Sequence, residues 1–213
     1  MPTGAALVPP RRMTGAQFRS FQETRPDHER WELVKGIPMM MVPPTISHQR
    51  TLDNLTRLLN DALARHDPAR LAVSASGVEL GEAALAWIRE DYCPEPDVLV
   101  MDADDEPCQR FVDRAYAFAE IVSDTDNEPV AGEKEPGSPS SGVSISPIRP
   151  CEAVILVDPY RVEIRTDLRV AHGWTSDRPT RLDEWLTVPT CGLRCPVGAV
   201  YDRTPLNRRP LAR

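Results

Sequence analysis

Two acids interrupt stretches that ought to be buried. Asp97, after Pro96, opens the apolar run Val98-Leu99-Val100-Met101, and Glu120 lies inside Ala117-Phe118-Ala119-Glu120-Ile121-Val122. Each run is short, apolar and followed by acids or turn formers, so each reads as a buried strand, where a carboxylate needs a compensating partner. A divalent cation is one such partner. Magnesium takes octahedral oxygen coordination from one or two carboxylates plus waters and substrate, activates water, and offsets charge on a phosphoryl group. Two carboxylates on one face of adjacent strands, about 5 Å apart, can converge on a single ion. Without an ion, Asp97 would cap a strand start and Glu120 would pair with an arginine. Glycoside hydrolysis also uses two carboxylates and no metal, but it calls for an aromatic-lined groove, and aromatic residues make up 6% of the chain.

The chain has 213 residues, 41% of them hydrophobic, enough for a single domain with a substantial core. Thr14 and Gln17 stand in capping-box spacing ahead of Phe18 and Phe21, which predicts a helix over Thr14 to Thr24. Trp31 to Val34 and Ile37 to Val42 read as two strands around Lys35-Gly36, with Pro38 keeping the second near an edge and Pro43-Pro44 ending it. Ser47 can cap a helix in which Leu52, Leu55, Leu59, Ala62 and Leu63 recur at helical spacing up to about Arg65. Strands are predicted over Leu71 to Leu80, Ala84 to Glu90, the Asp97 run and Ala115 to Val122. Residues 124–150 turn to Pro, Ser, Gly and charge, which predicts a disordered loop. Ala153 to Asp158, a turn at Pro159-Tyr160 and Arg161 to Arg165 form a predicted hairpin. Trp185 to Tyr201 reads as short strands or turns against the same sheet.

A net charge of -7 argues against non-specific affinity for nucleic acid, which normally rests on a basic face. Only Lys35 and Lys134 are lysines, so arginines would have to hold any phosphate. No run approaches the roughly 20 apolar residues of a membrane span, and Met1 to Arg12 lacks the apolar core of a signal peptide. A cytoplasmic protein without a membrane partner is expected. Five irregularly spaced cysteines suit reduced thiols, and Cys191 with Cys195 lacks the second pair that a zinc site needs.

The string Trp31-Glu32-Leu33-Val34-Lys35-Gly36-Ile37 through Met41-Val42-Pro43-Pro44, then Ser47-His48-Gln49 opening a leucine-spaced helix, resembles the Uma-two family of restriction-endonuclease-like proteins. Pro96-Asp97-Val98-Leu99-Val100, Ala119-Glu120-Ile121-Val122-Ser123-Asp124, Ile155-Leu156-Val157-Asp158-Pro159, Cys191-Gly192-Leu193 to Tyr201 and Thr204-Pro205-Leu206 follow in that family's order. The resemblance covers roughly Thr14 to Leu206. It implies the PD-(D/E)XK nuclease superfamily and an α/β (α+β) fold, a restriction-endonuclease-like central mixed β-sheet flanked by helices. A flexible N-terminus (1–13) and tail (207–213) would then frame one endonuclease-like domain (14–206).

The resemblance further implies a Mg2+-dependent DNA endonuclease, with Mn2+ as a substitute ion and Asp97 and Glu120 as metal ligands. Glu32 is the family's upstream acid, here also a candidate partner of Arg30. His48 and Gln49, in a helix's first turn, could receive a phosphate, or His48 could pack on the Pro43-Pro44 turn. The superfamily's Glu-x-Lys lysine, which would face the same side of the strand as the acid, is Val122 here. Lys134 is the candidate replacement, although Glu135-Pro136-Gly137-Ser138-Pro139 cannot continue a helix around it. The rival expectation is a catalytically inactive nuclease-like module that binds DNA or a protein. A homodimer cutting both strands follows by analogy.

Overall fold

The computed structural model describes residues 12–26, 29, 31–34, 36–41, 43–74, 77–78, 96–104, 111–112, 114–122 and 151–208. The strand expected at 84–90, the loop expected at 124–150, Lys35 and Lys134 lie outside the described residues.

Helix α1 (Gly15–Glu23) opens with the expected capping box: the Gln17 amide donates to the Thr14 hydroxyl, and the Thr14 amide donates to the Gln17 side chain. Two amides that a helix start leaves unpaired are thereby satisfied. Phe18 is buried and its ring stacks on Phe21, which meets Trp31 edge-on at 5.0 Å. These rings hold α1 on a hairpin of β1 (Trp31–Val34) and β2 (Ile37–Met40), in which Glu32 pairs with Met39.

Helix α2 (Ile46–His66) buries Leu52, Leu55, Leu59, Ala62 and Leu63, the predicted stripe. Each leucine so buried contributes roughly 1.5–3 kcal/mol. Its N-cap is Thr45 rather than Ser47. The Thr45 backbone is extended, as a cap requires, and its hydroxyl accepts the His48 amide. Thr45 is the first hydroxyl after the two prolines, so the helix starts there and Ser47 falls within the first turn, its carbonyl accepting the Thr51 hydroxyl.

The main sheet contains β3 (Arg70–Ser74), β5 (Val98–Asp102), β7 (Ala117–Ile121), β8 (Ala153–Val157), β9 (Ile164–Val170) and β10 (Gly173–Asp177). Their order across the sheet is β10, β9, β8, β7, β5, β3, antiparallel throughout except for the parallel pair β7 and β8. Apart from it, β4 (Gly77–Val78) pairs with β6 (Phe111–Val112) in parallel. The strand predicted over 71–80 is therefore two pieces, of which only β3 joins the main sheet. Asn60 of α2 both donates to the Ala72 carbonyl and accepts from the Ala72 amide, at 2.8 and 2.9 Å, covering the outer edge of β3.

Strands β5, β7 and β8 are covered on both faces, which explains their unbroken apolar sequences. Val98, Val100, Ala117, Ala119, Ile121, Ile155 and Val157 share one buried cluster with α2. Leu99, Met101, Phe118, Val154 and Leu156 form a second cluster with Val112, Ala115 and Cys151. The predicted hairpin after β8 has a longer turn than expected. Asp158 accepts the Tyr160 and Arg161 amides at 2.8 and 3.0 Å, so residues 161–163 belong to the turn and Val157 pairs with Ile164. β11 (Trp185–Val188) and β12 (Leu193–Pro196) flank a 3-10 turn (Pro189–Cys191), and α3 (Val197–Val200) follows. As expected, this region packs against the same sheet: Leu186, Val188, Val197, Val200 and Tyr201 join the α2 cluster. No helix among the described residues is long and apolar enough to cross a membrane.

Two outcomes follow from this packing. Thr45→Ala should lower stability to urea by about 0.5–2 kcal/mol through loss of the cap, with Ser47→Ala close to neutral; equal effects would contradict the assignment. Cys151, Cys191 and Cys195 are free and buried. Burial pushes the thiols of Cys151 and Cys191 up to about 12 and that of Cys195 up to about 11, and raises the Tyr201 phenol as well. The folded chain keeps protons that an unfolded chain releases from about pH 8.5 for a thiol and about pH 10 for tyrosine. The stability these groups contribute is complete below that range and is lost as the pH rises toward the folded values. Urea midpoints should fall steadily between about pH 9 and 11, less steeply in Cys191→Ala; midpoints flat across that range would contradict it.

Candidate active site

The register of β5 on β7 pairs Val98 with Ala119 and Leu99 with Phe118. One step further along lie Asp97, just ahead of the first paired residue of β5, and Glu120, which pairs with Leu156 of β8. The two acids, 23 residues apart in sequence, thus both lie at this end of the sheet. Pro96 before Asp97 has no amide proton to offer β7. The Asp97 side chain joins the two strands there in a different way: its Oδ2 accepts the Ile121 amide at 2.8 Å. Its Oδ1 lies 3.3 Å from Nε2 of His48, and the two side chains are only 11% and 12% exposed.

Glu120 is half-buried on β7. Along that strand Ala117, Ala119 and Ile121 face α2, and Phe118 belongs to the cluster on the opposite side, so alternation assigns Glu120 to the Phe118 side. Asp97 precedes the first paired residue of β5 and turns its carboxylate to the Ile121 backbone and to α2. The acids therefore flank the end of the strand pair.

Several elements gather at this end. The Val122 amide donates to the Val157 carbonyl at 2.8 Å, aligning the ends of β7 and β8. Asp158 then folds the next turn back on itself. Tyr160 of that turn meets the Thr45 hydroxyl at 3.2 Å, tying it to the cap of α2. Glu32 is half-buried on β1, outside the six-stranded sheet. Lys134 lies outside the described residues.

Among the described residues no group of three or more His, Cys, Asp or Glu side chains is arranged to hold a metal ion. The donors at the strand end are two carboxylates, and hard oxygen donors suit magnesium or manganese, which need only one or two of them. With Oδ2 accepting the Ile121 amide and Oδ1 at ion-pair distance from His48, Asp97 keeps further lone pairs on both oxygens. As donor types the two carboxylates suit a small divalent cation, but they leave the strand end on different sides and are not arranged as a pair around one ion.

Sequence reasoning offered His48 a phosphate or a packing role; the structure turns its imidazole onto Asp97, a contact that neither reading contained. A signal was present. His48 falls on the same helical face as Leu52, Leu55 and Leu59, and a polar ring at the head of a buried stripe must find a polar partner.

A model of the Uma2 family, described as "Putative restriction endonuclease", matches residues 16–135, just over half of the chain. Among solved structures, the fold is similar to "a putative nuclease belonging to DUF820" from Anabaena variabilis. The TM-score is 0.61 at 14% identity, over 89% of this chain and 97% of that one. No protein with a curated description matches. The motif order read from the sequence, the mixed sheet between helices and the match over residues 16–135 make this chain a member of the Uma2 family, with the restriction-endonuclease-like fold expected from its sequence.

Proposed function

We propose that the chain is a metal-dependent endonuclease that hydrolyses DNA phosphodiesters, with Asp97 and Glu120 as cation ligands. The observation that carries this reading is that Asp97, at the start of β5, and Glu120, on the neighbouring β7, lie at the same end of a buried sheet, in a family described as "Putative restriction endonuclease". A magnesium or manganese ion, when bound, supplies Lewis acidity and charge neutralisation to the hydrolysis. The chain's own contribution is orientation. The Ile121 amide holds one oxygen of Asp97, and β7 carries Glu120 on a strand locked between β5 and β8. Groups held in this way need no reorganisation when charge develops on the phosphate.

In this reading Glu32 is the assisting acid and Lys134 the cation that steadies charge on the phosphate. Arginines hold the flanking phosphates, and a homodimer in the cytoplasm presents two centres to the two strands of a duplex. One observation favours the second reading, an inactive nuclease-like module that binds DNA or a protein. Val122 stands where the superfamily carries its lysine, and it packs with the apolar cluster around Phe118.

Nicking of supercoiled plasmid separates the two. The expected result is cleavage with magnesium or manganese, none with EDTA, and a loss of at least roughly 100-fold in Asp97→Asn and in Glu120→Gln, since each removes a ligand whose cation is worth several kcal/mol to the transition state. Cleavage indifferent to EDTA would contradict the metal reading. A folded protein that retards plasmid on a gel without cutting it would transfer the conclusion to the binding module.

A further inference from the structure

His48 stands at the head of the stripe that α2 buries against the sheet, where an imidazole carries a desolvation cost that a leucine would not. Its backbone is pinned, because its amide is the donor that the Thr45 cap accepts. Its ring is directed at one atom. Nε2 lies 3.3 Å from Oδ1 of Asp97, at ion-pair distance from the carboxylate. The Ile121 amide holds the other oxygen. One partner comes from a helix and one from a strand, on two elements already packed together, so turning the Asp97 carboxylate would lengthen one of the two contacts.

We infer that His48 is a positioning residue for Asp97: it fixes the carboxylate so that its remaining lone pairs are presented to a divalent cation at the end of β5. This inference rests on the endonuclease reading, in which Asp97 is a ligand. His48 is not itself a ligand in this arrangement, because the nitrogen that faces the site is the one engaged with Asp97. Groups that hydrogen-bond to a ligating carboxylate typically govern metal affinity by 10–100-fold. A purely structural histidine would instead change stability and leave affinity alone.

Manganese binding measures this directly, through the electron paramagnetic resonance signal of the free ion during titration of the metal-free protein. Thermal unfolding without metal is recorded beside it. His48→Gln keeps an N–H at the reach of Nε2, His48→Asn withdraws it, and His48→Ala removes it. The expected pattern is a dissociation constant for manganese raised about 10-fold or more in His48→Ala and His48→Asn, and within about 3-fold of the wild type in His48→Gln. If the alanine variant fails to fold, the comparison of glutamine with asparagine carries the result. Unchanged affinity in His48→Asn would overturn the positioning role. A glutamine variant as weak as the asparagine one would overturn it too, by pointing to the imidazole as a direct ligand. Asp97→Asn separates this failure from failure of the endonuclease reading: manganese bound equally by wild type and Asp97→Asn, or by neither, would remove Asp97 as a ligand and His48's role with it.

Discussion

Val98 pairs with Ala119, and because side chains alternate along a strand, that register decides both what the sheet buries and what lies at its end. With this register the alanines of β7 lie under the leucines of α2, and Phe118 joins Leu99 on the opposite side. A slip of one residue would exchange the two faces, forcing Phe118 under the helix and Glu120 into the α2 cluster. The same strand pair ends with Asp97 and Glu120 at one end of the sheet, and the Asp97 carboxylate accepts the Ile121 amide just beyond the last paired residues. Packing and candidate chemistry are thus coupled through one pair of strands.

That coupling also explains the acid at the start of β5. A carboxylate buried at a strand end needs partners, and Asp97 has two, the Ile121 amide of β7 as a hydrogen-bond donor and the His48 imidazole at ion-pair distance. Neither saturates it. The residue therefore ends the strand pairing and still offers oxygen lone pairs outward. Were this acidic chain to act on DNA as proposed, it would meet a second constraint, since carboxylates repel phosphates unless a cation lies between them. Several arginines are committed to neighbouring acids: Arg70 to Asp67, Arg161 to Asp158, Arg165 to Asp167 and Arg178 to Glu163. In this account the contact with nucleic acid is concentrated at the cation rather than spread over a basic face.

The parts of the fold legible in the sequence were those whose packing leaves a periodic trace. The α2 stripe, the capping box of α1 and the two-sided burial of β5, β7 and β8 all write themselves as spacing or as unbroken apolar runs. β9 beyond Arg165 and β10 escaped, because Thr166-Asp167-Leu168-Arg169 and Trp174-Thr175-Ser176-Asp177 are mostly polar and are held by backbone pairing near an edge. Thr45 and Ser47 both carry a hydroxyl near the helix start, and only the extended backbone at Thr45 chooses between them. For the site, the two carboxylates were legible as anomalies in apolar strands, whereas their place at the same end of the sheet required a register. The His48 contact required knowing which strand end α2 covers, and no local pattern carries that.

The account's central claim is that Asp97 and Glu120 hold one cation between them. An anomalous difference map from a crystal soaked in manganese tests it most directly. The account requires a single strong peak about 2.0–2.2 Å from an oxygen of each carboxylate, as small hard cations bind. A map with no peak at the end of β5 and β7, with the Glu120 carboxylate engaged by a guanidinium, would contradict it.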